Sequence, residues 1–159
     1  MNKKKKSKKE SQEVEQMKFK LDEYEDCLMI KFSEKKYTFP IDIKMKIKKY
    51  PFGEDNIIGG AFGISYNNTS QWTNWYYSSE IICYCFLTGN LMGPLTFKDN
   101  PHFYWKSDNG FDEIILSIKY DGTVYYIIDG IERGLAFRME RREFYIFVGL
   151  AHKGDIEIC

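Results

Sequence analysis

Residues 114–128 read IILSIKYDGTVYYII, and this stretch decides the fold class. It places a run of β-branched and aromatic residues on each side of Asp121-Gly122. Such runs favour strands. Asp-Gly between them favours a type I′ turn, because both central residues of that turn need a positive φ. The stretch therefore predicts an antiparallel β-hairpin.

Strand signals continue on both sides of this hairpin. Upstream, Ile41, Ile43, Met45 and Ile47 alternate with a polar set. On a strand, this alternation places the apolar residues against a core and the polar residues in water. Many short strands separated by turns predict an all-β protein, an antiparallel two-sheet β-sandwich. The polar set is Asp42, Lys44, Lys46 and Lys48, and the other strand-like segments are residues 28–32, 37–41, 57–64, 81–87, 144–151 and 156–159.

The chain divides into a tail, a short connecting segment and the sandwich. Residues 1–13 are lysine-rich and too polar to form a core, so we expect them to be disordered. Residues 14–27 have two interpretations, a short helix or the first strand, because Met17 and Leu21 fit either spacing and Phe19 fits the strand. Residues 28–159 are predicted to form the sandwich.

Charge and cysteine content limit the function and the location. Residues 10–159 hold 17 basic and 23 acidic residues, a net charge of −6. This balance disfavours nucleic acid as a partner, apart from weak contacts of the lysines between residues 3 and 9. That lysine run also fits an import signal, attraction to an anionic membrane surface or a solubilising tail. No apolar stretch is long enough for a membrane span, and no signal peptide is recognisable, so we expect a cytoplasmic or nuclear protein. Its cysteines, Cys27, Cys83, Cys85 and Cys159, are then expected to be free thiols.

Enzymatic and metal-binding motifs are missing from the sequence. It contains no P-loop, no Gly-x-Ser-x-Gly and no His-Glu-x-x-His. Cys83 and Cys85 are separated by one residue, whereas zinc sites usually begin with Cys-x2-Cys. We therefore predict no catalytic residue, no metal and no cofactor, and the protein is not expected to be an enzyme.

A polar, aromatic loop is the first candidate binding site. Trp and Tyr bury large areas at low entropy cost, and amides give directed hydrogen bonds. Residues 66–80 combine both kinds of side chain, and a second loop, residues 100–111, adds more. The alternative is that one or two of these rings cap the core. The predicted partner-binding residues are Trp72, Asn74, Trp75, Tyr76, Trp105 and Asp108.

The last third of the chain resembles a known family. FDEIILSIKY at residues 111–120 and TVYYII at 123–128 precede Asp129-Gly130, GLAF at 134–137 and YIFVGL at 145–150. This order is similar to the closing half of a SPRY (B30.2-like) domain, a concanavalin A-like β-sandwich, and the resemblance is clearest over residues 111–158. Asp129 stands where the family usually has Asn. The first half lacks the usual Gly-Ser-Tyr-Gly signature.

The resemblance implies a function as well as a fold. SPRY domains usually recognise peptides or protein surfaces through loops at one end of the sandwich, without a catalytic residue or a cofactor. We therefore predict a non-catalytic protein–protein interaction module, of the kind used in adaptors. Two alternatives remain open: a lectin-like glycan-binding sandwich, and a structural subunit that buries a sheet face such as the one bearing Lys44, Lys46 and Lys48.

Overall fold

All regular elements among the described residues are β-strands. The computed structural model describes residues 12–21, 29–49, 59–68, 80–86, 88–93, 103–106, 109–150 and 154–159. Within these residues there is no helix that is long and apolar enough to cross a membrane. The strands are β1 Met17–Leu21, β2 Met29–Phe32, β3 Tyr37–Thr38, β4 Ile41–Lys49, β5 Gly60–Ser65, β6 Ile81–Cys85, β7 Leu91–Met92, β8 Glu113–Ile118, β9 Thr123–Ile128, β10 Ile131–Arg138, β11 Glu143–Leu150 and β12 Gly154–Ile158.

The strands form two antiparallel sheets, which confirms the predicted sandwich. The first sheet has the order β1-β12-β4-β8-β9-β10. The second has the order β2-β11-β5-β6-β7, with β3 paired to the start of β11. Between β2 and β3, Ser33 continues the pairing through its side chain, because its Oγ accepts a hydrogen bond of 2.9 Å from the Ile146 amide.

The core lies between the two sheets and follows the alternation seen in the sequence. Ile41, Ile43 and Met45 of β4 are buried, as predicted. From β9 of the first sheet, the hydroxyl of Tyr126 donates a hydrogen bond of 2.9 Å to the carbonyl of Phe62 in the second sheet. This bond fixes the two layers to each other through a side chain that is itself fully buried.

Opposite charges alternate across the outer face of the first sheet. Lys18 pairs with Glu157, Glu157 with Lys46, and Lys46 with Glu113, on four neighbouring strands. A second lysine, Lys44, lies 3.7 Å from Glu113. Opposite charges on facing positions stabilise a solvent-exposed sheet surface. Lys44 and Lys46 of β4 thus face carboxylates on the neighbouring strands.

The type I′ turn lies one hairpin later than predicted. At β9–β10, Asp129 has a φ of 50° and Gly130 a φ of 82°, the values of a type I′ turn. At β8–β9, only Gly122 has a positive φ, so the prediction of a type I′ turn there is wrong. The Asp121 carboxylate instead accepts hydrogen bonds from the amide and hydroxyl of Thr123, which stabilise a three-residue loop with the glycine in the left-handed position.

The structure contains a strand within the segment that had two interpretations. β1 covers Met17–Leu21 and pairs with β12, and Met17 and Phe19 point into the core. Residues 22–28 lie outside the described part of the chain, as do residues 1–11. The disordered tail and the domain boundaries therefore stay predictions.

Candidate functional site

One of the six predicted binding residues lies in a described segment. Trp105 belongs to residues 103–106, whereas Trp72, Asn74, Trp75, Tyr76 and Asp108 lie outside the described residues. Trp105 and its surroundings are therefore the described part of the predicted site.

Residues 103–106 run alongside the short strand β7 at the edge of the second sheet. Tyr104 forms an isolated antiparallel bridge with Asn90. The Trp105 amide donates to the carbonyl of Gly89 at 3.0 Å, and the hydroxyl of Tyr84 donates to the carbonyl of Trp105 at 2.6 Å. These bonds hold the backbone of the segment on both sides of the tryptophan.

Gly89 is needed for this close approach. Its φ is +77°, a conformation that L side chains rarely adopt. A Cβ at this position would lie 2.6 Å from the Trp105 carbonyl oxygen. The backbone can therefore approach residue 105 only because residue 89 has no side chain.

The side chains of the segment alternate between the core and solvent. The ring of Phe103 is buried edge-to-face against Tyr84, with the ring centroids 6.2 Å apart. Tyr104 points outward and is 61% exposed. Trp105 is half-buried and packs edge-to-face on Phe111, with the centroids 6.1 Å apart. Edge-to-face contacts add stability beyond burial. The residues on both sides of Tyr104, Phe103 and Trp105, are therefore held in place by aromatic packing.

Arg133 covers the ring of Trp105 from the edge strand of the first sheet. Its guanidinium carbon lies 4.5 Å from the indole centroid, a cation–π contact. The register of β10 shifts between Glu132 and Leu135, and Gly134 has a φ of 98°. Such a bulge changes the direction in which a side chain points. The Nε of Arg133 is buried, and among the described residues it has no hydrogen-bond partner.

An exposed apolar side chain stands close to this arginine in the same strand. Ile131 begins β10 and is 55% exposed. It lies opposite Ile128, on the other side of the β9–β10 turn. Tyr104 and Ile131 are thus exposed apolar side chains in the same two segments as Trp105 and Arg133, and we call these four residues the Tyr104 surface.

Solved SPRY domains have a fold similar to that of this chain. The SPRY domain of human HERC1 superposes with a TM-score of 0.60 at 20% identity, covering 84% of this chain and 82% of that one. A second human SPRY domain superposes with a TM-score of 0.67 at 13% identity, covering 89% of each chain. The chain is a SPRY-like domain in its fold. No family model matches the sequence, and no curated protein matches it.

These superpositions confirm the resemblance that the sequence predicted. They extend over far more of the chain than residues 111–158, where the SPRY pattern is legible. At these identities the likeness concerns the fold alone.

The two cysteines in β6 of this SPRY-like domain are buried structural residues. Cys83 and Cys85 share the face of the second sheet that points away from the main core. Burial raises the pKa of the Cys83 thiol well above its usual value. A neutral, buried thiol is neither a good nucleophile nor a metal ligand. Among the described residues, no group of three His, Cys, Asp or Glu side chains could hold a metal ion.

Arg133 was not among the predicted binding residues, although the sequence contains a signal for it. All four arginines of the chain lie between residues 133 and 142, whereas the 19 lysines are spread elsewhere. Arginine differs from lysine in its planar group, which stacks on aromatic rings and binds carboxylates with two parallel hydrogen bonds. A cluster of arginines in a lysine-rich chain therefore indicates a place where that geometry is used.

Proposed function

We propose that this SPRY-like domain is a non-catalytic module that binds a peptide or protein partner through aromatic side chains on its loops. The observation that carries the proposal is the fixed Trp105–Arg133 contact with the exposed ring of Tyr104 beside it. Aromatic and arginine side chains carry a large share of the binding energy in protein interfaces. The fold supports the same conclusion, since SPRY domains are generally interaction modules.

The chemistry of the Tyr104 surface suits a peptide. Tyr104 and Ile131 offer apolar area at the edges of both sheets. We include Trp72, Asn74, Trp75, Tyr76, Trp105 and Asp108 in the proposed site, with the amide and the carboxylate orienting the partner.

The cellular role follows from the same proposal. We propose that a peptide-binding module of this kind serves as an adaptor between other proteins. We propose that it does so in the cytoplasm or the nucleus.

Affinity purification with mass spectrometry tests the proposal. The full chain is compared with Trp72→Ala/Trp75→Ala and with Tyr104→Ala. Tyr120→Ala is the matched control, because Tyr120 is a tyrosine that is 80% exposed. It lies in the β8–β9 turn, whereas Arg133 lies near the β9–β10 turn at the other end of β9. Partners that are retained by the control and lost by the other variants would support the site.

Two outcomes would contradict the proposal. If folded Tyr104→Ala and Trp72→Ala/Trp75→Ala variants keep every partner of the wild type, the assigned site is wrong. If the chain captures no protein but binds defined glycans on an array, the lectin-like alternative replaces the adaptor function.

A further inference from the structure

The remaining arginines form a second constellation, away from the Tyr104 surface. Arg138 ends β10 and lies roughly 16 Å along the strand from Arg133, at about 3.3 Å per residue. Arg141 and Arg142 follow in the β10–β11 loop. The Arg141 guanidinium carbon lies 4.7 Å from the ring centroid of Tyr66, and that of Arg142 lies 5.0 Å from the ring centroid of Phe39. Both arginines are therefore held against aromatic faces.

A cleft opens between these arginines and β3. Its volume is about 620 Å³, which lies within the range of small-ligand pockets. The cleft forms where β3 and β5 flank the start of β11, with Thr38 opposite Glu143 and Ser65 opposite Tyr145. The residues that matter for its chemistry are Lys36, Thr38, Tyr66, Arg141, Arg142 and Glu143.

The lining of this cleft has an excess of positive charge. Lys36, Arg141 and Arg142 contribute three cations, and Glu143 contributes one carboxylate. Lys36 and Glu143 are 4.0 Å apart on an exposed surface, a separation at which the pair contributes little. Arg141 has a carboxylate partner outside the lining, Glu80, at 3.2 Å.

Arg142 keeps most of its hydrogen-bonding capacity. One terminal nitrogen donates to the carbonyl of Phe39 at 3.2 Å, and the guanidinium stacks on the ring of the same residue. No carboxylate in the described part of the chain pairs with it. A guanidinium has five N–H donors in a fixed plane, so a held Arg142 presents donors in a geometry that matches a carboxylate.

Tyr66 adds a neutral donor to the same cleft. Its oxygen accepts a hydrogen bond of 3.0 Å from the Glu140 amide, and its own O–H has no acceptor among the described residues. Burial raises the pKa of the Tyr66 phenol, so the proton stays on the oxygen at neutral pH. The hydroxyl can therefore donate to an anion in the cleft.

We propose that this cleft, the Arg142 cleft, is a second binding site that takes the carboxylates of an acidic peptide segment from a protein partner. Arg142 receives one carboxylate with two parallel hydrogen bonds, Lys36 attracts a neighbouring acid, and Tyr66 donates to the first. The stacking contacts hold the guanidinium in place before binding, which lowers the entropy cost of the complex. A long nucleic acid fits poorly, because residues 10–159 carry a net charge of −6 that repels phosphates beyond the cleft.

The test uses the full chain and defined peptides. A fluorescently labelled peptide of alternating glutamate and glycine is titrated by fluorescence polarisation, beside the same peptide with glutamine for glutamate and one with phosphoserine for the central glutamate. Inorganic phosphate is added as a competitor. We expect the glutamate peptide to bind, with an affinity that falls as salt rises, and the glutamine peptide not to bind.

Charge-matched variants separate the cleft from general electrostatics. Arg141→Gln/Arg142→Gln is expected to weaken binding about tenfold or more, because charged hydrogen bonds are lost. Lys18→Gln/Lys46→Gln removes the same charge from the outer face of the first sheet and is expected to change affinity little. Arg142→Lys keeps the charge without the planar group and is expected to fall between these two.

The outcomes decide the proposal and separate it from the first binding surface. If the glutamate and phosphoserine peptides both fail to bind the wild type, or if the two double variants lose affinity equally, the proposal is overturned. If the phosphoserine peptide binds the cleft and the glutamate peptide does not, the carboxylate assignment is wrong. Should Arg141→Gln/Arg142→Gln fail to fold, Arg142→Lys and Lys36→Gln decide the same question. Tyr104→Ala is expected to leave peptide binding unchanged, so each site can fail without the other.

Discussion

Asp129 offers a test of how the β9–β10 turn is stabilised. The residue has a φ of 50°, in the left-handed region where Asp and Asn are tolerated and Ala is not favoured. Its Oδ1 accepts hydrogen bonds from the amides of Asp112 and Glu113, at 2.9 and 3.0 Å. Its own amide donates to the carbonyl of Glu113 at 2.9 Å. One side chain therefore fixes the turn to the beginning of β8.

The contributions can be separated by three substitutions. Asp129→Ala loses both side-chain bonds, about 0.5–1 kcal/mol each at an exposed site, and adds about 1 kcal/mol for the left-handed backbone, about 2–3 kcal/mol in total. Asp129→Gly loses the bonds without that backbone strain, so we expect about 1–2 kcal/mol. Asp129→Asn keeps an oxygen acceptor and tolerates the conformation, so we expect less than about 0.5 kcal/mol.

Denaturant unfolding followed by tryptophan fluorescence measures these differences. We expect the order of stability Asp, Asn, Gly, Ala, with an unchanged denaturant slope. A loss of about 2–3 kcal/mol also lowers the Tm by roughly 5–10 °C in a chain of this size. If Asp129→Gly is less stable than Asp129→Ala, strain of the left-handed backbone does not explain the loss in the alanine variant. If Asp129→Asn costs as much as Asp129→Ala, the carbonyl oxygen does not replace the carboxylate, and the reasoning fails.

Three further predictions follow from the described structure. Gly89→Ala is expected to lower the free energy of unfolding more than Gly130→Ala does in denaturant unfolding. Both glycines have a positive φ, but a Cβ at Gly89 would meet the Trp105 carbonyl, whereas one at Gly130 meets nothing within 4 Å. Equal losses of stability in the two variants would contradict the steric explanation. In a Cys27→Ser background, a thiol reagent is expected to modify exposed Cys159 quickly and buried Cys83 and Cys85 only on unfolding. Fast reaction of all three thiols in the folded protein would contradict the burial of Cys83 and Cys85. Burial raises the folded-state pKa of Tyr126 above its ordinary value of 10.0. The free energy of unfolding is therefore expected to hold below about pH 10 and to fall above it, because the phenol of the unfolded chain loses its proton first. The stability of Tyr126→Phe is expected to fall less steeply with pH, and an equal slope in the two proteins would refute this cause.

The predictable part of the fold is the part with a period of two. β4, β8, β9 and β11 show that period or continuous apolar runs, and the structure has strands in all four places. β10 shows neither, because the bulge between Glu132 and Leu135 interrupts the alternation of buried and exposed residues. The sequence therefore indicated only a short SPRY-like motif at residues 134–137, whereas the strand β10 that contains this motif is eight residues long.

The candidate site was less predictable than the fold. Trp105 could be selected because an aromatic residue in a polar loop is a common binding feature. Its contact with Arg133 could not, because the direction of that arginine depends on the bulge and on Gly134. The arginine cluster was visible in the sequence, but the rings on which it stacks were not.

The sequence by itself determined the fold class, since alternating apolar residues can bury one face only as strands, and two such sheets have to pack on each other. The tertiary structure decided which Asp-Gly forms the type I′ turn. Gly122 lies against Phe39 and its carbonyl accepts the Met139 amide, so the first loop is shaped by distant residues. The tertiary structure also brought Arg142 to Phe39, 103 residues earlier in the chain. Contacts at such separations depend on how the strands are ordered within the sheets, and local hydrophobic patterns contain no information about that order.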